Sequence, residues 1–374
     1  MPAASPSVLP FDPVGGPSDR HVSDSDLRIG VRTRSLSQTR LRYIRQLGAT
    51  DVFIDHANVD EEPDEFNDRE ADVTLDVGRD AIPTVEQLET ATAHVEAADL
   101  RLAGIHSLPF ALYGDVMFGR DGAKEAIEQT TTLIENLGNA DVPILGYQWN
   151  PRGLVPMRTD PVELRGGAIG TSFDYDELEA PDELAPGLDR EYTEDEFWEN
   201  FRGFLETVLP IAEDAGVDLA LHPIDPPVIE TMCGIPRLCR NVESFERAMD
   251  LVPSENHGLK LCLGCFSQMG EDVTEVIRTF AERDQIVFVH FRDVEGTVPR
   301  FHETFVDEGN FDTTEVVRTL HDVGYEGAIL PDHVPLMEDD TDWRHRARAF
   351  TVGYLRGVID TVEADTVEVG TAEE

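Results

Sequence analysis

Leu219-Ala-Leu-His-Pro-Ile-Asp-Pro-Pro227 is a short apolar run that stops at His222 and passes into an acidic turn stiffened by prolines. Three later stretches repeat the layout. Leu259-Lys-Leu-Cys-Leu-Gly264, Ile286-Val-Phe-Val-His-Phe-Arg292 and Ala328-Ile-Leu-Pro-Asp-His333 each carry an apolar run into a side chain able to bind a metal: Cys262, His290 and Asp332. One such ending is commonplace, because a lone strand histidine is usually a hydrogen-bonded core residue. Four at corresponding places need a common cause. Parallel strands of a barrel end on one face, so ligands at successive strand ends converge on a point. The expectation is a metal site built by His222, Cys262, His290 and Asp332.

Outward from this run the rhythm continues. Apolar strand-like runs near 27–32, 51–55, 100–106, 142–149, 217–222, 258–263, 286–291 and 327–331 alternate with helical spacing at 36–47, 85–98, 121–138, 194–215, 243–251, 271–283, 313–323 and 343–363. Thr193 ahead of Glu194, and Thr313 ahead of Glu315, read as helix caps with acids at the positive helix end. Gly216 and Gly324 read as left-handed closures. Eight strand–helix units running one way imply an α/β fold, the (β/α)8 TIM barrel. An open doubly wound sheet would carry a glycine-rich phosphate loop after its first strand, and Gly30-Val-Arg-Thr-Arg34 is not one. Residues 1–26 read as a disordered leader, 27–363 as a single catalytic domain, and 364–374 as an acidic disordered tail. Insertions after the second strand (57–83, strongly acidic) and the fourth (150–193) are placed to cover the pocket, since loops after strands share the ligands' face.

The chain has 75 acidic and 30 basic residues, a formal charge of −45, and only Lys124 and Lys260 are lysines. Such a charge disfavours nucleic acid and anionic membranes as partners. Acids line most of the expected helices rather than forming blocks. That surface suits a cytoplasm at molar salt, where self-repulsion is screened within about 3 Å, so a halophilic, archaeon-like host is expected. No run approaches the roughly 18 apolar residues of a membrane span, and the N-terminus lacks a signal-peptide layout. A cytoplasmic protein is the expectation. Cys233, Cys239, Cys262 and Cys265 are too few for a disulfide scaffold. Cys262-x-x-Cys265 admits a redox or half-zinc reading, but it has no second CxxC partner and Cys262 lies inside a strand.

Two imidazoles, a thiolate and a carboxylate suit a divalent first-row transition metal, whereas calcium and magnesium prefer oxygen shells. His333 follows Asp332 directly, so it points away from the ligand direction while staying near the metal, in place to shuttle protons. Arg292, two positions after His290, shares its face and is expected to clamp a substrate carboxylate. His302 and Glu303, in the loop after the seventh strand, and Arg158, after the fourth, are candidate substrate contacts. Asp225 is placed to orient a ligand or a substrate hydroxyl.

At these residues the chain resembles the mannonate dehydratase family of xylose-isomerase-like TIM barrels. The resemblance is carried by Leu221-His-Pro-Ile-Asp-Pro-Pro227, Gly234-Ile-Pro-Arg237, Gly258-Leu-Lys-Leu-Cys-Leu-Gly264, Val289-His-Phe-Arg-Asp-Val294, Phe301-His-Glu303 and Pro331-Asp-His333. Upstream, Glu135-Asn-Leu-Gly138, Tyr147-Gln-Trp-Asn-Pro151 and Met157-Arg-Thr-Asp160 are similar as well. The resemblance implies dehydration of D-mannonate to 2-keto-3-deoxy-D-gluconate with Mn²⁺ or Fe²⁺ held by His222, Cys262, His290 and Asp332, with His333 as acid/base. It also implies a small sugar acid as partner, and a homo-oligomer, dimer or tetramer, is expected. The chain departs from the family in three places. Asp342-Trp-Arg-His-Arg346 lacks the tyrosine that the family pairs with its histidine, Val31-Arg-Thr-Arg34 replaces an aromatic opening, and His106 stands where a glutamate is expected. Two rival readings remain open: a metal-dependent sugar isomerase or epimerase, and a non-catalytic sugar-acid binding protein.

Overall fold

The computed structural model describes residues 27–55, 75–79 and 81–372. The expected leader and most of the 57–83 insertion lie outside the described residues. Strands β1 (Arg28–Thr33), β2 (Asp51–Ile54), β3 (Arg101–Ile105), β4 (Ile144–Gln148), β5 (Asp218–His222), β6 (His257–Cys262), β7 (Ile286–Phe291) and β8 (Ala328–Pro331) close into one barrel. β1 pairs in parallel with both β2 and β8, which completes the ring. The helices that follow them are α1 (Gln38–Leu47), α2 (Val85–Glu96), α3 (Ala123–Asn139), α4 (Glu194–Ala215), α5 (Val242–Leu251), α6 (Val273–Ala281), α7 (Thr313–Asp322) and α8 (His345–Ala372). This is the expected (β/α)8 TIM barrel.

Strand periodicity decides what the barrel holds. Phe53, Ala103, Ala220, Phe288, Ala328 and Leu330 form a buried cluster of their own inside the ring, with the Phe53 and Phe288 ring centroids 4.7 Å apart. Successive side chains alternate faces. Two residues beyond Ala220, Phe288 and Leu330 therefore come His222, His290 and Asp332, still pointing inward but now at the C-terminal mouth. The apolar plug and the polar mouth are consecutive layers of the same strands. Small residues allow the strands to approach: a Cβ on Gly146 of β4 would sit 2.1 Å from the His106 carbonyl oxygen at the end of β3.

The helix signals hold with two corrections. Thr193 and Glu196 form a capping box at the start of α4, and Gly216 closes it at φ 66°. At α7, Asp312 is the cap, accepting from the Glu315 amide, while the Thr313 hydroxyl donates to the Val306 carbonyl. A carboxylate one residue earlier reaches the free amides better than the threonine already inside the first turn. Secondly, α8 runs to Ala372, into the stretch expected as a tail. Its buried Val352, Leu355, Ile359 and Val362 anchor the helix on the barrel. A nucleated helix then adds residues at far lower cost than starting a new one, although Thr366, Val367, Val369, Gly370 and Thr371 are weak formers.

The insertion after β4 and the loop after β7 meet. Ser172–Asp174 pairs antiparallel with Arg300–Glu303, which pairs with Val294–Thr297. Phe173 stacks on Phe301 at 5.6 Å and is fully buried. This three-stranded sheet stands over the barrel mouth and delivers Glu303 to it. No helix among the described residues is long and apolar enough to cross a membrane.

Candidate active site

His222, Cys262, His290 and Asp332 are all buried, and one ligand atom from each lies within 4.8 Å of the others. The four strand ends thus converge as expected. Their hydrogen bonds prepare them for a cation. The His222 Nδ1–H donates to the Pro223 carbonyl (2.7 Å), leaving Nε2 bare. His290 Nε2 meets His106 Nε2 at 2.8 Å, with the two ring planes nearly parallel. His290 Nδ1 is buried without a hydrogen-bond partner, 3.3 Å from an Asp332 carboxylate oxygen. An orphaned imidazole nitrogen aimed at a buried carboxylate is what a metal cation would fill. The charges agree. Burial alone would raise Cys262, but Cys265, the Arg292 guanidinium and His222 hold its thiol well below the usual range. Burial is likewise overcome at Asp332, which His290, His333 and Arg32 hold well below the ordinary carboxylate range. The donor set fits a divalent transition metal.

His106 was not among the expected site residues. Burial, and then the charge of Lys260, hold it well below the usual histidine range, so the ring is neutral. Its Nδ1 lies 3.7 Å from Asp55. With His106 accepting at Nε2, His290 donates from Nε2 and keeps its Nδ1 lone pair for a metal, a tautomer choice made by the outer ring. Lys260 stands on β6 beneath this pair, donating to the His106 carbonyl (2.6 Å) and to Ser107 Oγ (3.1 Å).

Arg292 and Asp225 lie deeper than expected, in an ion-pair network beneath the ligands. The Arg292 guanidinium is buried and bonded to Asp225 (3.0 Å), Asp332 (3.2 Å) and Cys265 Sγ (3.3 Å). Asp225 also accepts two bonds from Arg158 (3.0 and 2.8 Å) and one from Gln268 (3.0 Å). Strand periodicity gave Arg292 the right face but not its depth: it lies under the ligands as their counter-charge. What the structure assigns to Arg292 is ion pairing with Asp225 and Asp332, and to Asp225 the fixing of two arginines.

The other expected residues divide. His333 Nδ1 lies 2.5 Å from Glu303 Oε1, and Arg158 reaches Glu303 at 2.6 Å. Burial would raise Glu303, yet His333, Arg158 and Arg292 hold it well below its ordinary range, so it is an anion. All three line a cavity of about 430 Å³ that also exposes Asp332. His302 is not there. It alternates with Glu303 on its strand, faces a separate groove with Phe301 and Arg300, and lies 3.6 Å from Glu295. The expected His302 contact therefore lies outside the cavity that holds His333 and Glu303.

The same cavity is lined by Arg32, Arg344, Arg348 and Trp343, which the sequence reading left unused. His106 did carry a signal, since it ends an apolar run as His222 does. For the arginines only their clustering after the last strand was visible.

A model of the D-mannonate dehydratase (UxuA) family matches residues 34–368. Mannonate dehydratase of Streptococcus uberis is 30% identical over 305 residues, spanning 74% of this chain and 86% of its own. Among solved structures, mannonate dehydratase from Streptococcus suis serotype 2 superposes with a TM-score of 0.75 at 24% identity, covering 91% of this chain and 94% of that one. The 3-keto-D-glucoside 4-epimerase from E. coli superposes with a TM-score of 0.56 at 15% identity, covering 88% and 99%. At these identities the two structures bear on the fold alone.

Proposed function

We propose the reaction from one premise: this chain belongs to the D-mannonate dehydratase family. It is a metal-dependent hydro-lyase that converts D-mannonate to 2-keto-3-deoxy-D-gluconate and water. The observation that ties this activity to its own residues is the buried four-ligand set with a histidine–carboxylate pair beside it.

His222, Cys262, His290 and Asp332 would hold the metal, which we assign as Mn²⁺ or Fe²⁺. When bound, such a cation supplies charge that stabilises the oxygen on which electrons collect as the proton next to the carboxylate leaves. His333 takes that C2 proton. Its Nδ1–H is engaged by Glu303, which leaves Nε2 as the accepting atom. Glu303, kept anionic, stabilises the imidazolium that results. The C2–H electron pair forms the C2–C3 double bond as C3–O breaks, and the departing hydroxyl takes up a proton to leave as water. The enol then becomes the 2-keto acid. Arg158, fixed by Asp225 and Glu303, stands at the wall of the same cavity to meet substrate hydroxyls.

The experiment is product analysis on the purified chain with Mn²⁺ and a panel of aldonates in heavy water. Formation of a 2-keto-3-deoxy acid from D-mannonate is expected. Exchange of the C2 hydrogen without loss of water would move the chain to the isomerase or epimerase class, and binding without either would make it a sugar-acid binder.

A further inference from the structure

The cavity beside Asp332 and His333 is lined by Arg32, Arg34, Arg152, Arg158, Arg344 and Arg348, in a chain whose formal charge is −45. Arg158 and Arg32 have carboxylate partners. Arg158 is bound to Asp225 and Glu303, and Arg32 reaches Asp55 (3.2 Å) and Asp332 (3.3 Å). Arg344 and Arg348 differ. Arg348 donates from Nε to the Trp343 carbonyl (2.8 Å) and from Nη1 to the Pro331 carbonyl (3.3 Å). Arg344 donates to the Val334 carbonyl. Among the described residues, no carboxylate forms an ion pair with either.

Pro331 and Val334 bracket Asp332 and His333, so the two guanidiniums hang from the backbone on either side of the metal ligand and the proton acceptor. Trp343 locks this arrangement: its ring lies 5.4 Å from the Arg348 guanidinium carbon, and its Nε1 donates to the Arg32 carbonyl (3.2 Å). Arg344 sits at φ 58°, a left-handed backbone that a side-chain-bearing residue holds only when its surroundings demand it. Arg348 is buried, and burial with the nearby Arg32 charge pushes it down to about 9. Guanidiniums withdrawn from water that donate only to neutral carbonyls are compensated only in part, by the more distant charges of Asp332 and Asp55 at Arg348 and of Glu303 and Asp340 at Arg344. An anion in the cavity completes them.

We propose that Arg344 and Arg348 form the subsite for the carboxylate of the sugar acid. The identity of that ligand as an aldonate rests on the dehydratase reading above. The planar guanidinium matches a carboxylate with paired N–H donors. A carboxylate held between the two arginines brings its neighbouring carbon against Asp332 and His333, where the C2 proton is removed. The same cations stabilise the charge that flows onto the carboxylate as that proton leaves.

The test is calorimetric binding to the Mn²⁺-loaded chain of D-mannonate and of its neutral amide, D-mannonamide, for wild type, Arg344→Gln and Arg348→Lys. Wild type is expected to favour the acid by about 10-fold or more, the scale of a charge-assisted hydrogen bond. Arg344→Gln brings the ratio near parity while changing amide binding by less than about twofold. Arg348→Lys, which keeps the charge but loses the fork, gives an intermediate ratio. Equal loss of acid and amide, or an unaltered ratio in Arg344→Gln, overturns the subsite. Arg344 is half-buried, so that variant remains informative if the buried Arg348 position does not tolerate change. A wild-type acid preference that Arg344→Gln erases, without any 2-keto-3-deoxy product, would retire the dehydratase reading and keep the subsite. Product formation with an unaltered ratio would do the reverse.

Discussion

His106 acts on the metal site through a ligand rather than as one. Because its Nε2 faces His290 Nε2 at 2.8 Å, its tautomer decides whether His290 Nδ1 carries a lone pair or a hydrogen. Removing the acceptor in His106→Ala is expected to weaken Mn²⁺ affinity by roughly 10- to 100-fold, as losing an outer partner of a ligand histidine does. His106→Gln, whose amide oxygen can accept, should recover part of it. Metal titration with a competing chelator reads both; unchanged affinity in His106→Ala would remove the residue from the site. The rule that picked His222, Cys262, His290 and Asp332 from their strand ends also applies to His106, so this residue was legible. The depth of Arg292 was not. Sequence periodicity tells which way a side chain points, and nothing in it tells that Nε and Nη2 of the guanidinium are already bonded to Asp332, Asp225 and Cys265.

The strands and helices were legible because period-two apolar runs and capping residues are local. What joins the site is not local. Glu303 and His333 lie thirty positions apart and meet because the loops after β4 and β7 pair into one sheet. Asp225 and Arg158 are joined across sixty-seven. These loop ion pairs carry a pH dependence with a definite sign. Burial raises Asp225, but Arg158 and Arg292 overcome it, and its folded-state value falls well below the unfolded one; Glu303 behaves alike. Groups depressed in this way contribute stability that is complete above about pH 4 and is lost as pH falls further. Asp293 runs the opposite way: burial pushes it up to about 6, so its contribution declines as pH rises from about 4 towards 6. Urea unfolding is therefore expected to show stability dropping below about pH 4. Asp225→Asn should cost about 3–5 kcal/mol at pH 7, the scale of breaking a buried pair, and should flatten that acid slope. A variant as stable as wild type with an unchanged slope would contradict the ion-pair account.

At the scale of the whole molecule, the surface and the mouth of the barrel carry opposite charge. The −45 spread over the chain repels itself, and salt screens that repulsion. The melting temperature is expected to rise between roughly 0.1 and 2 M KCl, as a halophilic origin would require; a flat or falling curve would leave the acidity without that explanation. The site itself is sheltered inside the ring, where the strand ends supply the metal donors and the last strand's neighbours supply the arginines. The barrel brings the four ligand atoms within 4.8 Å of one another, and we assign them as the ligands of one metal ion. The most direct test is the metal content of wild type and Cys262→Ala after equilibration with Mn²⁺ or Fe²⁺ and desalting. Wild type should retain a single ion per chain and Cys262→Ala should lose it while keeping the barrel's circular dichroism; full metal retention by the folded variant would contradict the assignment.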